Sequence, residues 1–373
     1  MPSGIRRALS IFLLSGFAGI AASQSEEFHG QASGWLSANP SFPSRVQAGV
    51  RYIPDLLLEQ KISDAVDAGL ELSLDSYALG GASQRQLPSH DENLKPYRAW
   101  FRISGDRFEA RAGLQKINFG SAQLLRPLMW FDRIDPRDPL QLAEGVYGVL
   151  ARYYFQTNEN IWLWALYGNN DPKGWESAPT EWKSVEYGGR LQSPLASGEI
   201  GLTYHLRRAD YGRLPASPEE RLALDGKWDI GPGVWFEAVV TRRTDSPVLP
   251  EYGRQWTLGA DYTFATGNGI YAAAEYFRTD NSLTPVGSGA GGGFSALTLA
   301  YPLGIADRIS AILYRDWAGN RWYNLATWQR ALDNWTLYLL GFWNPDTAQI
   351  FQGEAGAASF AGAGFQVMVI FNH

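Results

Sequence analysis

The chain has 373 residues, a formal net charge of −6, no cysteine and four histidines. Without cysteine there is no thiol catalysis, thiolate metal site or disulfide staple, and an acidic chain lacking a basic patch argues against nucleic-acid binding. Mean hydropathy is −0.23, and beyond the N-terminus no run approaches the roughly 18 apolar residues of a spanning helix.

Residues 1–23 stand apart. Arg6 and Arg7 precede the apolar run Ile11–Ile20, and Ala21-Ala22-Ser23 supplies small residues before Gln24. This is the pattern of a cleaved secretory signal; a buried N-terminal helix is the competing reading. Cleavage removes two arginines and no acid, taking the charge from −6 to −8 for residues 24–373. An exported chain without spanning helices or disulfides is soluble periplasmic, secreted, or an outer-membrane barrel, and strand pattern has to choose.

From Phe28 onward apolar and polar residues alternate. Strands are predicted over 28–38, 45–61, 65–78, 96–104, 107–118 and 146–156. They continue over 160–168, 185–193, 199–207, 220–229, 233–243 and 254–265, and then over 270–279, 293–302, 307–316, 321–331, 335–343 and 362–372. The count is about 18, with 16 as the alternative. In 199–207, Ile200, Leu202, Tyr204 and Leu206 share one face, and Glu199, Thr203, His205 and Arg207 share the other. Pro54 interrupts the second segment, where it cannot donate to a ladder.

A soluble sandwich also alternates. Segments of about 9–12 residues suit a tilted bilayer crossing instead. Brief turns at 63–64, 105–106, 157–160, 195–198, 231–233, 266–269, 304–307 and 333–334 alternate with mostly longer connections. The longer ones cover 79–95, 119–144, 169–183, 208–218, 244–253, 281–292 and 345–360; 39–44 and 318–320 are brief members of the same side. Short turns on one side and long loops on the other mark an all-β transmembrane antiparallel β-barrel, with short periplasmic turns and long extracellular loops. Such a sheet must close, because unpaired backbone in hydrocarbon costs several kcal/mol per group.

The last strand alternates Phe365, Val367, Val369 and Phe371 with Gln366, Met368 and Ile370. In this the chain resembles bacterial outer-membrane porins, whose final strand ends in an aromatic; here Asn372 and His373 follow Phe371. A second stretch, Arg111-Ala-Gly-Leu-Gln-Lys-Ile-Asn-Phe-Gly120, is similar to segments of the alginate-export and phosphate-selective porin families. The resemblance implies a location in the bacterial outer membrane, contact with its lipid, passage of small hydrophilic solutes or ions, and a homotrimer by analogy.

The polar faces would line the interior. Arg98, Arg102, Glu109, Arg111, Arg152, Glu186, Arg190, Glu199, His205 and Arg207 form the expected wall, joined by Asp225, Lys227, Glu237, Asp261, Glu275 and Arg308. A barrel of 16–18 strands leaves an aqueous channel. Trp100, Trp130, Tyr153–Phe155, Trp175, Trp182, Trp228, Trp235, Trp322, Trp328, Trp335 and Trp343 fall near strand ends, as interfacial girdles do, with a sugar-binding track as the alternative. Ile161–Tyr167 is apolar on both faces, so Trp162 and Trp164 need an interior partner.

The segment Phe119–Glu144 breaks the alternation and is the third long connection. In general porins the third long loop folds inward and narrows the barrel. The resemblance therefore places Arg126, Asp132, Arg133, Asp135, Arg137 and Asp138 at a pore constriction opposite Arg102, Arg111 and Arg152. Opposed charges there would bias ion passage. Leu124, Leu125, Leu128, Met129, Trp130 and Phe131 need a wall to pack on; a rim-packed loop with self-paired charges is the alternative.

Other motifs carry less. Gly287–Gly293 reads as a flexible loop tip, since no helix follows to make a phosphate cradle. Acidic pairs such as Asp132 with Asp135, or Glu219-Glu220, read as solvated loop charge rather than calcium ligands. No catalytic motif occurs, and no metal or cofactor is expected. The expected function is passive diffusion through a water-filled channel. The alternatives are a polysaccharide-export or partner-sheathing conduit, and a barrel hydrolase built on His205.

Overall fold

The computed structural model describes residues 25–40, 46–82, 89–287, 289–346 and 360–373. The expected signal segment lies outside them, as does much of the connections expected at 39–44 and 345–360.

Every described element of any length is a strand. The first quarter of the barrel holds β1 (Ser25–Ala38), β2 (Val46–Ser63), β3 (Val66–Ala82), β4 (Ser89–Gly105) and β5 (Phe108–Gln115). Next come β6 (Val146–Tyr154), β7 (Asn160–Tyr167), β8 (Val185–Leu195), β9 (Gly198–Ala209) and β10 (Ser217–Asp229). The circuit continues through β11 (Gly233–Arg243), β12 (Tyr252–Phe264), β13 (Ile270–Ser282) and β14 (Ala290–Pro302). It is completed by β15 (Asp307–Asp316), β16 (Arg321–Ala331), β17 (Trp335–Trp343) and β18 (Ala363–Asn372). Each strand pairs antiparallel with its neighbours in sequence, and β1 pairs with both β2 and β18, so the 18-stranded sheet closes on itself. Closure leaves no sheet edge.

The two faces follow the alternation. On β9, Leu202 and Tyr204 are exposed on the outside, whereas Thr203, His205 and Arg207 are buried inside. Val149, Leu163, Tyr187, Leu222, Leu258, Leu297, Leu339 and Val369 extend the apolar exterior around the barrel. A closed barrel with an apolar belt is the strand solution to a bilayer. Outer aromatic pairs border the belt, with Trp228 stacked on Phe236 and Trp335 tilted against Phe371 near the short turns. Trp256 against Tyr276 lies toward the other end.

Several expectations shift. The strands β3 and β4 reach Ala82 and Ser89, so most of the expected 79–95 connection is ladder. Ala290–Gly293 pairs with Arg278–Asn281, and the glycine run is therefore partly strand rather than loop tip. Pro54 lies within β2: it faces Gly30 on β1, the β2–β3 ladder skips it, and its carbonyl accepts the Ser73 hydroxyl at 2.8 Å. Trp100, Trp130, Trp175 and Trp235 leave the expected girdle, since they lie inside the barrel with Trp162 and Trp164. Proximity to a strand end does not fix the face; pairing parity does. At the closure, Gly30 and His373 exchange backbone hydrogen bonds of 3.0 Å, and the His373 ring packs on Phe28, Tyr52 and Phe371.

Candidate functional site

The connection between β5 and β6 covers 116–145, slightly longer than expected at both ends, because β5 stops at Gln115 beyond the positive-φ Gly113. Its apolar residues find an interior wall. Ile117, Phe119, Leu128, Trp130 and Phe131 form one buried cluster with Val146, Leu150, Trp164 and Leu166 from β6 and β7, and Trp162 packs against it. Phe119 stacks on Trp164 at 5.7 Å, while Phe131 meets the same ring edge-on at 5.4 Å. Leu124 and Leu125 reach farther round, to Phe277, Ala296, Tyr314 and Tyr323 on β13 to β16.

Two wall carboxylates hold the backbone of this segment. Glu237 on β11 accepts the N–H groups of Ala122 at 2.8 Å and Leu128 at 2.9 Å. Glu275 on β13 accepts those of Gln123, Leu124 and Leu125 at 2.6, 3.0 and 2.6 Å, together with the Trp235 indole N–H. Between them Thr257 on β12 donates its hydroxyl to the Leu125 carbonyl at 2.6 Å. A chain turning through a lumen has no ladder for its amides, so inward side chains must satisfy them. The alternation places both glutamates inside; their task as backbone anchors follows only from the loop's path.

The connection 168–184 braces the first from the long-loop side. Gly174 donates to the Asp132 carbonyl at 2.9 Å, and the Trp175 indole donates to the Arg126 carbonyl at 2.8 Å while stacking on Phe277. Next to it Glu176 bridges Arg207 and Arg221, and Glu219 bridges Arg207, Arg221 and Arg243. These groups border a cavity of about 140 Å3 together with Trp130, Trp175 and Gln255. Buried charges persist when each has an opposite partner and hydrogen bonds.

The expected wall residues are all inside but meet different partners. Arg102 pairs with Glu59; Arg111 and Arg152 both pair with Glu109, at 3.1 and 3.2 Å. The Arg111 and Arg152 guanidinium groups also lie over Trp100 and Trp162. Arg190 grips Asp225 through two bonds of 2.5 and 2.8 Å, and Glu199 accepts from Gln192. Arg98 donates to the Ala143 carbonyl, binding the end of the 116–145 connection to β4, where Lys95 also meets Glu144 at 2.8 Å. Arg102, Arg111 and Arg152 are thus paired with acids of the wall itself.

Within the loop, Arg137 pairs with Asp135 at 2.7 Å and lies over Phe360. Burial pulls the Arg137 guanidinium down, but Asp135 outweighs it and the net shift is upward. Arg126 donates to the Asn118 side chain and the Phe119 carbonyl. Asp132 is 2% exposed, and burial pushes its carboxyl up against the pull of Arg126, Lys116 and Arg98. Burial likewise raises Asp138, with the Leu140 N–H and Arg51 drawing it back and Asp135 adding to the rise. Arg133 has its Nε buried without a hydrogen bond.

His205 is fully enclosed. Its Nδ1 accepts the Trp164 indole N–H at 3.1 Å, its Nε2 faces Glu186 at 3.3 Å, and Trp130 and Phe131 cover its ring. Lys173 from the 168–184 connection completes the group by binding Glu186 at 2.8 Å. In this arrangement the imidazole ties β7 and β8 to the 116–145 connection.

No protein-family model matches the sequence, and no curated protein matches it. Solved structures do. Pseudomonas aeruginosa OccK5 (OpdH) superposes with a TM-score of 0.58 at 14% identity, covering 94% of this chain and 98% of that one. Acinetobacter baumannii OccAB4 gives 0.62 at 8% identity, covering 94% and 98%. An anion-selective porin from Comamonas acidovorans gives 0.50 at 12% identity, covering 94% and 99%. The likeness is one of fold, that of the bacterial outer-membrane porins.

Proposed function

We propose that the chain is an outer-membrane porin, a water-filled channel for passive diffusion of small hydrophilic solutes or ions, exported by a signal at residues 1–23. One observation carries this reading: a closed apolar-sided barrel has a charged interior crossed by a loop hung on its far wall. The 116–145 connection is then the constriction, with Asp132, Asp135, Arg137 and Asp138 as its charged portion and Arg98 and Arg51 as wall cations whose charge acts on those acids. Charges of both signs at a narrow point bias ions by local field rather than by size alone. The fold shared with porins supports the channel and its outer-membrane setting.

Single-channel recording in planar bilayers tests it. The wild-type protein should give stepwise conductance, and deleting Leu124–Leu140 should raise conductance and weaken ion selectivity. A wild type that inserts without conducting would instead favour a plugged export conduit, and liposome swelling by neutral sugars would separate the two. Unchanged conductance in the deletion would remove the loop from the constriction.

A further inference from the structure

We propose that Arg315, Trp317 and Trp322 form a site for the phosphate of an anionic lipid headgroup on the outer face of the barrel. The proposal rests on the reading that this face meets a bilayer. Arg315 belongs to the row Ser295–Arg315–Trp322 across β14, β15 and β16. The rows toward the short turns are Leu297 with Leu313, then Leu299 with Ala311 and Ala326, then Tyr301 with Ile309 and Trp328. From the Trp328 row to the Trp322 row is roughly 20 Å along the strand at about 3.4 Å per residue, or about 15 Å along the bilayer normal for a strand tilted by about 40°. An apolar belt is about 25 Å tall with an aromatic girdle at each edge. Arg315 and Trp322 form the last outward row before β15 gives way to the 317–320 turn, which sets them at the long-loop edge of the belt, within reach of lipid headgroups.

The cation is built into this girdle. Its guanidinium carbon lies 5.4 Å from the Trp317 ring and 5.2 Å from the Trp322 ring, and both indoles are more than half exposed. Trp317 is fixed by its Nε1 donating to Ser295 Oγ at 2.9 Å. Arg315 donates to the Asn320 side chain, which occupies one of five N–H donors. Outward arginines elsewhere on this rim have acids: Arg208 pairs with Glu181 and Arg242 with Glu251, each closely. Among the described residues, Arg315 has no carboxylate partner.

A guanidinium flanked by two indoles at the hydrocarbon edge is partly shielded from water. A phosphate diester supplies two oxygens that match the guanidinium fork, in bidentate charge-assisted bonds. Its acyl chains would run over the Leu297–Leu313 and Leu299–Ala311 rows below. Free phosphate matches the fork and gains nothing from those rows, so the assignment is to lipid.

The test uses full-length protein in neutral detergent, titrated with phosphatidylglycerol and followed by native mass spectrometry. Wild type should retain this lipid about tenfold more tightly than Arg315→Gln, with Arg315→Lys between them because it keeps charge without the fork. Phosphatidylcholine should bind wild type and Arg315→Gln alike. Equal phosphatidylglycerol binding by all three proteins overturns the proposal. Displacement of the lipid by an equal concentration of glycerol phosphate also overturns it, by assigning the site to a soluble anion. Arg315→Gln should conduct like wild type. A wild type that discriminates lipids in this way yet does not conduct would sink the channel reading and leave this site standing.

Discussion

Glu275 Oε2 accepts the backbone N–H of Leu125 at 2.6 Å, across 150 positions of sequence. This bond and its neighbours decide where the 116–145 connection lies, because the same carboxylate takes Gln123, Leu124 and Trp235 as well. Replacing Glu275 by Gln turns one acceptor into an N–H2 facing other donors. Losing bonds to a charged acceptor and leaving buried amides unpaired costs about 1.5–3 kcal/mol. Glu275→Gln should therefore loosen the loop, giving larger and noisier single-channel currents, and Glu237→Gln, with two backbone bonds, should act less strongly. Traces identical to wild type would mean that apolar packing alone seats the loop.

The packing contribution is measurable separately at Trp164. This ring is 4% exposed, stacks on Phe119, meets Phe131 edge-on and donates to His205. Trp164→Ala should cost about 3–5 kcal/mol, the usual penalty for truncating a buried Trp. Thermal unfolding in detergent is the measurement, with Trp343→Ala as comparison. Trp343 is exposed on the outer face, so its loss should change unfolding in detergent by about 0.5 kcal/mol or less.

Pairing parity explains what was legible. Strand 199–207 has a strict period of two, so its inside and outside, and hence the barrel class, can be read directly from Ile200 to Arg207. The double-sided apolar run at Ile161–Tyr167 likewise announces an interior partner for Trp162 and Trp164, which proves to be the 116–145 connection. Long-range pairings were not legible. Nothing local distinguishes Glu237 and Glu275, which hold a loop, from Glu109, which holds Arg111 and Arg152. Those roles depend on which residues a closed sheet and a returning loop bring together. Trp100 and Trp235 show the same limit, since closeness to a strand end says nothing about which side a ring faces.

Asp132 gives a pH dependence with a defined sign. Burial raises its folded carboxyl above the ordinary aspartate value, so between the unfolded and folded values the folded state binds more protons. Stability from this group is present at low pH and is lost as pH rises through the folded value. Asp132→Asn should remove that loss: the variant should gain thermal stability relative to wild type at pH 7–8, and the gain should shrink toward pH 4. Since Asp132 Oδ1 has no hydrogen-bond partner, the substitution forfeits no bond at that oxygen. A constant difference across the pH range would mean that Asp132 does not titrate on folding.

The contact between the two connections depends on Gly174. Its φ is +47°, its N–H donates to the Asp132 carbonyl, and a Cβ there would fall 1.7 Å from the Met129 carbonyl oxygen. Backbone cannot move aside as a flexible side chain can. Gly174→Ala should push the 168–184 connection off its neighbour, break the Trp175 bond to the Arg126 carbonyl and change single-channel noise. Gly212→Ala separates strain from collision, because Gly212 has φ +72° and open space where its Cβ would go. That variant should lose about 1–2 kcal/mol from backbone strain and leave the current unchanged. If the two variants behave alike, the steric contact with Met129 has no part in holding the loops together.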